Sequence, residues 1–360
     1  MSADAIKLLK PRAFDKSKWM QLPRDVVIGH DVLGQLPAVC EDLKLGPSAL
    51  LVSGAGTMKL AGNTVKTILS DGGYTVKPFL AEEITAPVIK RCEKAAKGAD
   101  FLIGVGGGRV IDTAKIVSFN LDLPFISVPT AASHDGIASA RASVSLSSGH
   151  SSLEAQPPIA IVADTRIIAS APHRLLAAGC ADVISNYTAI LDWELAHRVK
   201  GEPISEYAIT LSKMTAEILV KDAHLIKPHQ EESAWLVVKA LVSSGVAMSI
   251  AGSSRPASGG EHKFSHALDK LAPGKALHGE SCGIGTIISM YLHGGDWRGI
   301  RSSLRTIGAP VTPADVGIED AIAVEALLMA KTIRPERFTI FDMGLTKESA
   351  EKLVRMLYTE

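Results

Sequence analysis

An apolar, strand-like run, Phe101-Leu102-Ile103-Gly104-Val105, passes into Gly106-Gly107-Gly108 and continues as Arg109-Val110-Ile111-Asp112 in a helical pattern. This junction commits the surrounding chain to a strand–turn–helix unit. Glycines there remove Cβ obstruction and permit positive φ, so backbone N–H groups can approach a pyrophosphate while the next helix turns its positive end toward it. Asp112, in the first helical turn, is placed to cap or orient the loop. Taken alone, such a turn serves strand–helix packing as readily as ligand approach.

Its neighbourhood repeats the pattern. Between Asp25 and about Asp164, apolar runs bounded by glycine and proline alternate with helical stretches such as Pro87 to Lys97 and Val110 to Phe119. Strands are expected at Ala49 to Ser53, Thr75 to Leu80, Phe101 to Val105, Phe125 to Val128 and Ile159 to Val162, giving βαβ units on a parallel sheet. Val52-Ser53-Gly54-Ala55-Gly56-Thr57 is a second strand running into glycines. A third, Phe125 to Val128, ends in Pro129-Thr130-Ala131-Ala132-Ser133-His134-Asp135-Gly136. Thr130 and Ser133 can bond ribose or phosphate and Asp135 a substrate hydroxyl; a capped turn would use the same residue types. Strand ends of this kind, side by side, form the edge where ligands gather in open α/β sheets. The serine-rich Ser143 to Ser152 alternates like a hairpin and is read as one.

After Pro172 the texture becomes amphipathic and helical: Pro172 to His197, Pro203 to His224, Glu231 to Ala251, Ser281 to His293 and Ala314 to Lys331. The expected architecture is an α/β dinucleotide-binding domain over residues 1–171, with a parallel Rossmann-like sheet, followed by an all-α domain over 172–360.

Lysine plus arginine and aspartate plus glutamate stand at 38 each, and no basic block occurs, which argues against nucleic-acid or membrane partners and for a small molecule. Cys40, Cys92, Cys180 and Cys282 form no CxxC pair, so neither a disulfide framework nor a thiolate zinc knuckle is expected, and a reducing, cytoplasmic setting fits. The segment Met1 to Lys18 lacks the apolar core of a secretory signal, and no later run reads as membrane-spanning.

Three polar residues interrupt the apolar texture of the helical half: Asp182 in Ala181-Asp182-Val183, His262 in Gly260-Glu261-His262-Lys263, and His278 in Leu277-His278-Gly279. One carboxylate and two imidazoles make an open zinc site, with a position left for a substrate oxygen. His262 and His266 would share one helical face, and spacing leaves a His262–His266 pair equally open. Cys180 and Cys282 lie near these candidates and are expected to pack as buried apolar groups.

In order along the chain, Gln21-Leu22-Pro23-Arg24, Gly106-Gly107-Gly108-Arg109-Val110-Ile111-Asp112, Pro129 to Ser139, Ala181-Asp182-Val183-Ile184-Ser185-Asn186, Asp192-Trp193, the His262 and His278 segments and Arg334-Pro335-Glu336-Arg337 resemble the iron-containing alcohol dehydrogenase, glycerol dehydrogenase and dehydroquinate synthase superfamily. The Ser133-His134-Asp135-Gly136 run is similar to its sn-glycerol-1-phosphate dehydrogenase branch.

That resemblance implies a dehydroquinate synthase-like fold and NAD(P)H-dependent, metal-assisted reduction of dihydroxyacetone phosphate to sn-glycerol 1-phosphate for archaeal-type membrane lipids. It implies dinucleotide contacts from Gly108, Arg109, Val110, Ile111 and Asp112, from Thr130, Ala131, Ala132 and Ser133, and from Ser139, to which the reading of the glycine turn adds Gly106 and Gly107. It also implies substrate contacts from Asp135, Asp182 and His266, with Asp182, His262 and His278 holding zinc, or nickel as in bacterial relatives. His266 is a candidate proton donor, and a homo-oligomer is expected. Asn186 stands where the iron enzymes place a histidine, which counts against iron. Asp182 stands where dehydroquinate synthases place glutamate, which counts against the lyase. A glycerol dehydrogenase acting on unphosphorylated substrate, a dehydroquinate synthase-like lyase and a nucleotide-binding sensor with a structural metal are the competing readings.

Overall fold

A computed structural model of the chain describes residues 20–146 and 149–359; the segment at 1–18 and the tip of the serine-rich stretch at 147–148 lie outside the described residues. In the first half, β1 (Asp25–Gly29), α1 (Leu36–Asp42), β2 (Ser48–Ser53), α2 (Asn63–Asp71), β3 (Thr75–Leu80), α3 (Ala86–Ala95), β4 (Phe101–Gly106), α4 (Gly108–Leu121) and β5 (Phe125–Pro129) alternate. An antiparallel hairpin, β6 (Arg141–Leu146) and β7 (Gly149–Glu154), precedes β8 (Ala160–Asp164), so the serine-rich piece is the hairpin expected. Six strands build one sheet in the order β1-β8-β5-β4-β2-β3 with every pairing parallel. The five expected strands are joined by β1, which adds to the edge of β8.

Burial on both faces explains why the central strands are continuous apolar runs. Alternate residues divide: Leu51, Phe101, Ile103, Val105 and Ile126 pack against Leu36, Val65 and Leu69 on one face. Leu50, Val52, Leu102 and Ile161 pack against Ile111 and Val117 of α4 on the other. That second core runs on through Leu176, Ile184, Val237, Ile284 and Leu304, so sheet and helical half share one apolar body. Between β2 and β4 the strand order reverses, since β3 lies on one side of β2 and β4 on the other. Such a reversal opens a crevice at the strands' C-terminal edge, and the glycine junction leaves β4 there.

The helical half comprises α5 (Thr165–Ser170), α6 (His173–Ile184), α7 (Asn186–Lys200), α8 (Glu206–Lys221), α9 (Glu231–Ala251), α10 (Gly260–Leu271), α11 (His278–Leu292), α12 (Trp297–Ile307), α13 (Asp320–Ala330) and α14 (Lys347–Met356). The stretch read as one helix from Pro172 to His197 breaks at Ser185, whose hydroxyl donates to the Asp182 carbonyl at 2.6 Å and competes with the helical ladder. In the expected Ala314 to Lys331 helix, Gly317 at φ 68 ends a short 3-10 turn before α13 begins. One expectation is corrected: α9 is 21 residues long with a window of mean hydropathy 1.7, enough by length and composition to cross a membrane. Its apolar residues surround the helix because 61% of that window is buried within the protein.

The loop after β5 is held by a buried lysine. Lys115 of α4 is fully enclosed and donates to the carbonyls of Gly136 and Arg141 at 2.6 Å each and to Asp112 Oδ1 at 3.2 Å. Asp112 Oδ2 also accepts the Ser143 N–H at 2.9 Å, so this carboxylate orients the hairpin base. Lys115→Met would leave two buried carbonyls and a carboxylate without their donor. The expected loss is about 3 kcal/mol, read as a lower urea midpoint for the first unfolding transition.

Candidate active site

The glycine junction and the β5 loop lie side by side, joined by the Thr130 N–H to the Gly106 carbonyl at 3.0 Å. Their glycines serve close packing and not unusual torsions, which corrects the expectation of positive φ. None of Gly106, Gly107 and Gly108 adopts it. A Cβ on Gly106 would meet Val110 at 2.8 Å, and one on Gly108 would meet the His134 ring at 2.0 Å, whereas one on Gly107 would meet nothing within 4 Å. Gly107 thus presents open backbone at the head of α4. The first two helical residues, Gly108 and Arg109, precede the first intrahelical donors, Val110 and Ile111, whose N–H groups bond the Gly107 carbonyl at 3.0 and 3.1 Å.

A cleft of about 590 Å³ opens at this point, with Gly108, Arg109, Asp112, Asp135 and Ser139 on one wall and His262, His266 and His278 on the other. Val110, Ile111, Thr130, Ala131 and Ala132 are buried behind the first wall, and Ser133 is half-buried in the loop.

Asp182 projects from the buried face of α6. Its Oδ2 accepts the Asp135 N–H at 2.9 Å, but Oδ1 is enclosed without a hydrogen-bond partner. That oxygen lies 3.7 Å from Nε2 of His262 and 3.7 Å from Nε2 of His278. These separations exceed a hydrogen bond, yet they approach the ~3.3 Å expected between ligands of a tetrahedral cation with bonds of about 2.0–2.1 Å. A buried acceptor facing two imidazoles suits a shared cation, and the residues present fit one.

Cys282, expected to pack passively, also turns its sulfur toward this point. The four donor atoms of Asp182, His262, His278 and Cys282 lie within 4.8 Å of one another. The Sγ is 3.6 Å from His278 Nε2, and burial pushes its thiol up to about 11. His266 stands beside this group, its ring 6.5 Å from that of His262 and 5.8 Å from that of His278, and it lines the cleft. Asn186 is not among these donors; it donates to the Ser244 hydroxyl at 3.3 Å.

Each donor is braced. Glu261, which sequence reasoning left without a role, bonds His262 Nδ1 at 3.0 Å and is itself held by Thr188 at 2.7 Å. A carboxylate behind a ligand imidazole fixes its tautomer and ring orientation. Asp192 accepts the Gly260 N–H at 2.6 Å and ties the start of α10 to α7. Arg174 of α6 grips Glu280 of α11 at 2.6 and 2.7 Å, setting Asp182 and His278 in fixed relation. Beside them, Ser244 donates to Asp135 Oδ2 at 2.9 Å, while enclosure and the nearby Asp182 charge push the Asp135 carboxyl up to about 7. Glu261 and Glu280 lie beside the histidines in sequence, but the groups that hold them, Thr188 and Arg174, come from distant segments, as does Asp192, so no local pattern announces the bracing.

Fold and site together define a dinucleotide- and metal-using dehydrogenase. The family description of iron-containing alcohol dehydrogenases matches residues 27–172. The glycerol dehydrogenase of Schizosaccharomyces pombe superposes with a TM-score of 0.80 at 21% identity, covering 95% of this chain and 90% of that one. The glycerol-1-phosphate dehydrogenases, NAD(P)+ type, of Methanoregula boonei and Methanosphaerula palustris are 79% and 72% identical, each over the full length of both chains. The chain belongs to the glycerol-1-phosphate dehydrogenase family.

Gly279, next to His278, abuts α6 so closely that a Cβ would fall 1.9 Å from the Ala178 carbonyl oxygen. Gly279→Ala must push the two helices apart. It is expected to cost about 3 kcal/mol in denaturant unfolding and to lower bound metal measured by elemental analysis.

Proposed function

We propose that this protein reduces dihydroxyacetone phosphate to sn-glycerol 1-phosphate with NADH or NADPH, reversibly, and so supplies the glycerophosphate backbone of archaeal-type membrane lipids. The observation that carries the reading is the unpartnered Asp182 Oδ1 between His262 and His278, on the cleft wall opposite the head of α4.

In this reading residues 1–171 form the cofactor domain and 172–360 the metal and substrate domain. Gly106 to Asp112, Thr130 to Ser133 and Ser139 hold the dinucleotide, the buried members through backbone. Asp182, His262 and His278 hold the metal, and two imidazoles with a carboxylate favour zinc. When bound, the metal supplies Lewis-acid polarisation of a carbonyl and the nicotinamide supplies hydride. The chain's own part is to hold donor and acceptor in one orientation and exclude water. Asp135 receives a substrate hydroxyl, and His266, on the cleft wall, delivers the proton to the reduced oxygen. Cys40, Cys92, Cys180 and Cys282 are all free thiols, which supports a reducing cytoplasm. Exposed Tyr207, Met214 and Ile218 on one face of α8 support association into a homo-oligomer.

Chelation should abolish dihydroxyacetone phosphate-dependent oxidation of NAD(P)H, and zinc should restore it. His278→Ala should lower turnover at least about 1000-fold and metal content with it, while NADH binding, followed by nucleotide fluorescence, stays within about threefold. Full turnover by the metal-free protein would refute the reading. A flat NAD(P)H absorbance alongside substrate conversion would point to the lyase.

A further inference from the structure

Helix α11 presents two donor side chains to the metal position, not one. His278 opens the helix and Cys282 follows four residues later, so both lie on one face, a turn apart. The residue after each is a glycine packed against α6. A Cβ on Gly279 would fall 1.9 Å from the Ala178 carbonyl oxygen, and one on Gly283 would fall 3.0 Å from the Ala181 Cβ. This close approach brings His278 and Cys282 up to Asp182, which follows Ala181.

Cys282 Sγ lies 3.6 Å from His278 Nε2. On a tetrahedral cation with bonds of about 2.3 Å to sulfur and 2.0–2.1 Å to nitrogen, those two atoms would stand ~3.6 Å apart. Both imidazoles turn Nε2 inward, since Nδ1 of His262 meets Glu261 at 3.0 Å and Nδ1 of His278 lies 3.4 Å from Ser265 Oγ. A thiol hydrogen bond to His278 alone would leave the buried Asp182 Oδ1 without a partner. One cation shared by all four side chains satisfies it. Their donor atoms converge within 4.8 Å, and no other cysteine joins them among the described residues. Charge points the same way. A divalent cation held by one carboxylate and two neutral imidazoles keeps one net positive charge, which a thiolate cancels. A coordinating thiol releases its proton to solvent when the metal binds.

We propose that Cys282 is a fourth protein donor to the metal in the substrate-free enzyme, its sulfur closing the position left by Asp182, His262 and His278. This rests on reading those three residues as metal donors. A sphere closed in this way denies water a free position, and an arriving ketone must displace the sulfur or enter as a fifth donor. A soft thiolate also favours zinc over magnesium or manganese.

X-ray absorption at the zinc K-edge tests the assignment on the full chain, loaded one to one and free of substrate. The wild-type protein should show one sulfur scatterer at about 2.3 Å beside nitrogen and oxygen at about 2.0–2.1 Å. Cobalt in place of zinc should give a sulfur-to-metal charge-transfer band in the near ultraviolet. Cys282→Ala should lose both signals, and Cys180→Ala, on neighbouring α6, should keep them. Zinc affinity, measured by chelator competition, should fall at least about 10-fold in Cys282→Ala. A loaded wild-type site with nitrogen and oxygen scatterers alone would overturn the proposal, as would a sulfur signal that survives Cys282→Ala. Should Cys282→Ala not fold, the wild-type and Cys180→Ala spectra decide by the presence or absence of the sulfur shell. Failure of the underlying reading looks different: the wild-type protein would take up no zinc at all.

Discussion

A carboxylate oxygen buried without a hydrogen-bond donor is costly, and Asp182 Oδ1 is such an atom. Its sister oxygen is satisfied by the Asp135 N–H, so the side chain is held in place with one acceptor left facing two imidazoles. Enclosure raises the Asp182 carboxyl above its ordinary range, against the pull of His262 and His134. A divalent cation resolves that conflict more completely than a hydrogen bond can, because it meets the carboxylate and both histidines at once. The same Asp135 N–H ties the site to the β5 loop, and hence to the glycine junction beside it. One carboxylate therefore links the two walls of the cleft.

Close helix approach makes that link geometrically possible. A Cβ on Gly179 of α6 would lie 2.1 Å from the Ala132 carbonyl oxygen, and one on Gly245 of α9 would lie 2.8 Å from the Ala138 Cβ. With Gly279 against Ala178, these contacts seat α6, α9 and α11 on one another and on the loop that ends β5. Side chains short enough to meet between packed helices, a carboxylate on one helix and imidazoles on two others, then converge without long flexible arms. Rigid placement of this kind costs little further entropy when a substrate binds.

How far this was legible from residues alone depends on the range of each interaction. Central strands buried on both faces must be apolar runs, so the sheet was readable, and the glycine junction lies where the cleft opens. Strand β1 was harder to read because Asp25-Val26-Val27-Ile28 is short and lies on a half-exposed edge. Asp182, His262 and His278 stood out as polar interruptions, although only the resemblance chose among the histidines. What brackets them did not stand out. Glu261 touches Thr188, Asp192 reaches Gly260, His293 and Ile340, and Arg174 meets Glu280 across more than a hundred residues. The glycines misled in part, because at Gly106 and Gly108 the absent Cβ and not a positive torsion is what the packing requires.

Helix ends around the cleft show how one site can accept a cation and an anion together. His262 lies in the first turn of α10 and His278 begins α11, so both helices turn their positive ends toward the metal donors, an orientation that by itself opposes a cation. Buried carboxylates offset it. Glu261 accepts the Gly259 N–H at 2.5 Å, Asp192 the Gly260 N–H at 2.6 Å, and Glu280 the Leu277 N–H at 2.7 Å. At the head of α4 the arrangement is the opposite: Asp112, expected in the first turn, is the fifth helical residue and falls just beyond it, so the first turn carries no acid, and Gly107 at the N-cap has no side chain to cap it. That helix end keeps its partial positive charge free for an anion, while the two beside the candidate metal donors are offset by the acids next to them. Opposite charges thus find separate places within one cleft, set by which helix ends the sequence supplies with a carboxylate.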